Sequence, residues 1–210
     1  MNWTHFGIVT SAIIFSAFFS GMEIAFISVD KLRIELSSKN PGIRNRILGG
    51  FMKKPSWFIS TTLIGNNIAL VVYGIFMAYL LVPVIDYLLK GSVIQYDWVE
   101  LFIQTILATI VVLLTAEFTP KSLFLINPYG TLKFFSIPFF VIFVLLFIPV
   151  WIIVVLSRFT IVHLLKLEFS EEKPAFGLID LNHFLKSNMS ETKDPIEQEV
   201  DTKIFTNAIE

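Results

Sequence analysis

The chain has 210 residues, 55% of them hydrophobic and 22 of them Phe, with a mean hydropathy of +0.73 and a net charge of −1. Such a composition is too apolar for a soluble domain of this size. With no Cys, disulfides and thiolate metal sites are excluded.

The first apolar segment covers residues 6–28. It lacks the basic n-region and small-residue cleavage site of a signal peptide, so it is read as retained. Its polar residues are Ser16 and the run Ser20-Gly21-Met22-Glu23. Ser16, Ser20 and Glu23 stand at i, i+4 and i+7 and share one helical face. Gly21 is expected to let another helix or an ion approach the backbone. No Lys or Arg precedes Lys31.

The following loop carries Lys31, Arg33, Lys39, Arg44, Arg46, Lys53 and Lys54 against only Asp30 and Glu35. By the positive-inside rule it is cytoplasmic and the N-terminus is outside. Asn40-Pro41-Gly42 signals a turn between two short helices lying on the inner leaflet. The second spanning segment, residues 57–85, holds Gly65-Asn66-Asn67. An outer loop with Lys90, Asp86 and Asp97 leads to the third, residues 98–126, which holds Glu117 and Pro120-Lys121. Pro120 cannot donate to the carbonyl of Ala116, which is expected to be freed beside Glu117. Aromatic residues such as Trp3, Trp57, Tyr87, Trp98 and Tyr129 fit an interfacial belt.

Residues 134–157 carry no charge, yet a span there would export Arg158, Lys166, Lys173 and Lys186. Pro138 and Pro149 are expected to interrupt it. A broken, re-entrant or interface-lying hairpin with both ends cytoplasmic is therefore preferred. The expected fold is all-α and integral to the membrane: three transmembrane helices with juxtamembrane and re-entrant helices beside them. From Leu167 the chain turns soluble in character, with a linker around Glu171-Glu172-Lys173-Pro174. A short helix is expected over residues 179–185 and an amphipathic one over residues 197–209, which looks cut at its end.

The three polar groups share a depth. Ser20, Asn66 and Glu117 each lie about nine residues from the cytoplasmic end of their segment, or about 14 Å at the α-helical rise. That is near the middle of a hydrocarbon core about 30 Å thick. A charge there costs roughly 2.5–3.5 kcal/mol on insertion scales, so such residues usually face a bundle interior and mark an ion path. The donors are hydroxyl, amide, carboxylate and backbone oxygens, which suit Mg²⁺, Ca²⁺ or Na⁺. The plainer readings are packing for Ser16, Ser20 and Gly21, and interhelical hydrogen bonding for Asn66 and Asn67. Lys121 reads as a snorkelling anchor or a counter-charge to Glu117.

These motifs carry a resemblance. Phe18-Phe19-Ser20-Gly21-Met22-Glu23-Ile24-Ala25-Phe26 resembles the first-helix signature of the CorC/CNNM family. Leu63-Ile64-Gly65-Asn66-Asn67 resembles its IGNN motif, and Glu117-Phe118-Thr119-Pro120-Lys121-Ser122 its GE-x-x-PKS motif. The resemblance implies a magnesium transporter, with Mg²⁺ efflux driven by inward Na⁺. It also implies a homodimer with three membrane helices per subunit, belt-like juxtamembrane helices, and CBS modules that bind nucleotide beyond this chain. Residues 1–165 would be the transmembrane domain, and 166–210 a cytoplasmic linker and the start of a helical region leading to those modules. The implied metal residues are Ser16, Ser20, Gly21, Glu23, Asn66, Asn67 and Glu117. Met22 and Ala116 depart from the family pattern without removing a side-chain ligand.

The expected place is the plasma (inner) membrane, with lipid as solvent and the C-terminus cytoplasmic. The main rival is a non-transporting anchor or metal-sensing scaffold. An intramembrane hydrolase at Ser20 lacks a base in reach, since His163 and His183 lie beyond the spans; no enzymatic activity is expected. The one basic cluster sits where inner-leaflet lipid attracts it, so no nucleic-acid partner is expected.

Overall fold

The computed structural model describes residues 3–89 and 97–165. Contacts divide the chain into Met1–Glu171 and Glu172–Glu210. The second unit, with the linker and the two helices expected there, lies outside the described residues, as does most of the expected outer loop. Among the described residues the fold is helical, without strands.

Helix α1 spans Trp3–Ser28. Asp30 then caps α2 (Lys31–Ser38), its carboxylate accepting from the amides of Leu32 at 2.9 Å and Arg33 at 3.4 Å. That satisfies two of the donors a helix start leaves open. The expected turn at Asn40-Pro41-Gly42 separates α2 from α3 (Ile43–Lys53), with Gly42 at φ 157°, a state that side-chain-bearing residues rarely adopt. Pro55 opens α4 (Pro55–Leu89), where its missing N–H costs nothing. Helix α5 (Asp97–Val112) runs into π-helical turns over Leu113–Phe118 and on into α6 (Thr119–Ile126). Asn127 caps α7 (Pro128–Leu145) by accepting from the Gly130 amide at 2.9 Å. Helix α8 (Phe147–Phe159) ends in π-helical turns over Thr160–Leu164.

Among the described residues four stretches are long and apolar enough to cross a membrane: Trp3–Ser28, Pro55–Tyr87, Trp98–Ile126 and Pro128–Leu145. This is a multi-pass membrane protein, with one more helix of spanning length than the three-span expectation. Pro138 does not interrupt α7, which runs unbroken through it. The break falls at Leu146, and the missing N–H of Pro149 is that of the first turn of α8, where no intrahelical partner is required.

Helix α1 is the centre of the bundle. Its apolar window is 44% buried, against 6% for Trp98–Ile126, so α5 and α6 present most of their surface outward. Two apolar clusters meet along α1. One gathers Val9 and Ala12 with Tyr73, Phe76, Ala108 and Val112. The other gathers Phe19, Met22, Ala25 and Phe26 with residues of α3, α4 and α7. Within it Phe26 stacks on Phe58 at 3.9 Å and Phe58 on Phe139 at 4.2 Å, while Phe51 meets both Phe58 and Phe139 edge-on. Offset and edge-to-face aromatic pairs are worth about 0.5–1.5 kcal/mol beyond their burial.

Both ends of α7 touch the basic end of the bundle. Near its start, the Tyr129 hydroxyl lies 2.7 Å from that of Ser37 on α2, and Arg33 sits 4.5 Å over the Tyr129 ring. Near its end, Phe143 meets Phe51 of α3 and Trp57 at the start of α4.

Candidate cation site on helix 1

Between the two apolar clusters, α1 presents a polar layer. Ser16 is fully buried and donates to Oδ1 of Asn66 on α4 at 2.6 Å. Ser20, one turn further along, is 1% exposed, and its Oγ has no hydrogen-bond partner.

Those two serines differ from the hydroxyls around them. Thr61, Thr62, Thr105, Thr115 and Ser122 each return their hydroxyl to a carbonyl three or four residues back. That local bond is the ordinary way to satisfy a hydroxyl in an apolar helix. Ser16 spends its donor across the helix interface instead, and Ser20 spends its donor on nothing. A buried hydroxyl without a partner costs about 1–3 kcal/mol by protein mutational measures. The paired hydroxyl still offers lone pairs, and Ser20 offers an oxygen with no competing protein contact.

The glycines beside these groups are occupied by rings. A Cβ on Gly21 would stand 2.7 Å from ring carbons of Phe124 on α6, and one on Gly65 would run into the ring of Phe19. At both positions the missing side chain admits an aromatic ring, which is close helix packing rather than an opening to the backbone.

Glu117 lies on the π-helical turns that pack against α1, one residue before the end of that widened segment. The widening has a local cause. Pro120 removes an amide, and the helix answers just upstream: Thr119 directs both its N–H and, at 2.6 Å, its hydroxyl to the carbonyl of Leu114, five residues back. Single π-turns of this kind are frequent at functional sites. The Glu117 carboxylate is half-exposed and stands 4.0 Å from the Lys121 ammonium, one turn on. Ala116 and Met22, the two departures from the family pattern, are both fully buried.

Ser16, Ser20 and Gly21 are thus buried, Asn66 and Glu23 are half-buried, Glu117 is half-exposed, and Asn67 is exposed. The structure joins Ser16 directly to Asn66 and sets Glu117 on a segment in contact with α1. Asn67 is turned away from the Ser16 bond, as its 100° step around α4 requires. Among the described residues no three His, Cys, Asp or Glu come together as a metal cluster. The donors here are therefore neutral oxygens with single carboxylates, a set that suits a hard cation. Thr62, buried on the same face of α4 one turn before Asn66, was not singled out from sequence. Its i, i+4 spacing from Asn66 was the available signal.

Residues 7–199 match the family model for CNNM, the Cyclin M transmembrane N-terminal domain. The match thus extends beyond residue 165. No curated protein matches the chain.

Proposed function

Because the chain belongs to the CNNM family, a family of membrane divalent-cation transporters, we propose that it carries Mg²⁺ across the plasma membrane, as efflux coupled to inward Na⁺. The observation that carries this reading is the pair Ser16 and Ser20: a bridge to Asn66 and an unpartnered buried oxygen, on successive turns of the central helix. Ser16, Ser20, Asn66 and Glu117 would supply oxygens to a largely dehydrated Mg²⁺, Asn67 would join them on a rotation of α4, and Glu23 would be a further ligand or gate one turn nearer the basic end. The carboxylate of Glu117 would exchange Lys121 for the ion. Alternating access would present this midplane group to the cytoplasm and then to the outside.

The same reading places the N-terminus outside and counts three spans. The contacts at both ends of α7 support it: Tyr129 with α2, and Phe143 with α3 and the start of α4, suit a helix lying along the membrane surface. The outward apolar faces of α5 and α6 suit lipid and a second copy in a homodimer. Nucleotide would act only through CBS modules beyond residue 210.

The test is Mg²⁺ flux into proteoliposomes with parent, Glu117→Ala and Asn67→Ala. Loss of flux in both supports the site; parent-like flux in both overturns it. The Ser16–Asn66 bond by itself also suits interhelical glue in a non-transporting anchor. A parent protein that binds Mg²⁺ but moves none would establish that second reading.

A further inference from the structure

A cavity lies away from the polar layer, at the basic end of the bundle. Its volume is about 390 Å³, and it opens between α3, the start of α4 and the α7–α8 junction. Its walls are aromatic: Phe51, Trp57, Phe140, Phe143 and Phe147. Trp57 stacks on Phe147 at 5.6 Å, and Phe143 stands edge-on to Phe51 at 5.3 Å, so the walls brace one another. Among the described residues the charged ones lining it are Arg46 and Lys54, both exposed. Among the described residues neither is paired with a carboxylate, and Lys54 sits 5.9 Å over the Trp57 ring. Helix α3 contributes Arg44, Arg46 and Lys53 and no acid.

We infer that this cavity is a discrete binding site for an anionic diacyl phospholipid, with Arg46 and Lys54 on the phosphate and the phenylalanine walls against the acyl chains. Charge complementarity selects the occupant. Two cations without a local acid call for an anion, and juxtamembrane basic residues attract anionic headgroups. Five aromatic walls have no use for a free phosphate, whereas an acyl chain gains from their burial. A zwitterionic headgroup would set its own cation beside these two. The inference requires only that the basic end of the bundle face lipid headgroups; it does not depend on which ion the protein moves.

Gly50 lines the same cavity, and a Cβ there meets nothing within 4 Å, so Gly50→Leu would fill the space while keeping both charges. The experiment titrates the detergent-solubilised full chain with dioleoyl phosphatidylglycerol and counts bound lipid by native mass spectrometry. Dioleoyl phosphatidylcholine and inorganic phosphate are titrated in parallel. Phosphatidylglycerol is expected to bind at least tenfold more tightly than phosphatidylcholine. Each surface Lys or Arg contributes about fivefold in affinity to an anionic lipid, so Arg46→Gln with Lys54→Gln should weaken phosphatidylglycerol by roughly thirtyfold. Gly50→Leu should weaken it with both cations in place. The inference is overturned by unchanged binding in the double variant or by equal affinity for the two lipids. Unchanged binding in Gly50→Leu, which would reduce the effect to open-surface charge, also overturns it. So does displacement of phosphatidylglycerol by an equal concentration of inorganic phosphate, the mark of a free-anion site.

Discussion

Removing the hydroxyl of Ser20 should have opposite effects on the metal-free and the Mg²⁺-bound protein. In the metal-free protein the Oγ is buried and unpartnered. A hydroxyl held that way costs about 1–3 kcal/mol, and deleting one oxygen atom leaves little cavity. Ser20→Ala should therefore be more stable than the parent in EDTA, by about 1 kcal/mol. Ligand binding reverses the comparison. An ion at a hundred times its dissociation constant stabilises the parent by about 2.7 kcal/mol. If the lost oxygen weakens binding tenfold, the same Mg²⁺ concentration stabilises the variant by only about 1.4 kcal/mol. The measurement is unfolding of both proteins in detergent across a Mg²⁺ series. The expected pattern is a raised starting point with a shallower Mg²⁺ response. A variant less stable than the parent in EDTA, with an unchanged Mg²⁺ response, would refute the reasoning; Ser20 would then be an ordinary packing residue.

Ser16→Ala removes a bond across two helices, and membrane hydrogen bonds of this kind average about 0.6 kcal/mol. A loss of that size in EDTA together with a reduced Mg²⁺ response is expected. An intact Mg²⁺ response would mark the bond as glue alone. Gly21→Ala should destabilise by about 1–3 kcal/mol through overpacking against Phe124, whose ring is itself stacked on Phe135 at 5.8 Å. Phe124→Leu in the same chain should recover part of that loss, as equilibrium unfolding of the double variant would show. Glu117→Gln keeps the shape of the side chain and deletes its charge, so Mg²⁺ flux should fall at least tenfold while the unfolding midpoint in EDTA stays near that of the parent. Unreduced flux would remove Glu117 from the ion path.

Much of the bundle was legible because hydrophobic runs and turn signals are local. The third span ends at residue 126 in both readings, and Asp30 and the Asn40-Pro41-Gly42 turn mark boundaries through their own backbone chemistry. The shared depth of Ser20, Asn66 and Glu117 comes within one helical turn of the observed bond, which joins Asn66 to Ser16 and leaves Ser20 unpartnered. What depth does not report is rotation, and the 100° step around α4 sets Asn67 exposed beside the half-buried Asn66. The rings filling Gly21 and Gly65 come from partners chosen by tertiary packing, which periodicity in one segment does not encode. Pro138 was read as a break from its missing amide alone. Leu132, Ser136 and Phe139 around it are buried, and their packing holds α7 continuous.

The two rings seated on glycines flank the candidate site in an informative way. Phe19 lies on Gly65 of α4, and Gly21 receives Phe124 of α6, so the immediate neighbours of Ser20 are a ring pointing one way and a socket facing another. Side chains this close leave no slack for the helices to separate or slide at that height. A tilt of α1 about Ser20 would disturb these two seats least. A 10° swing about that point moves a helix end roughly 14 Å away by about 2 Å, while the atoms beside the pivot barely shift. Under the proposed transport, an ion held there would pass from one face of the membrane to the other by levers whose hinge is the cage itself.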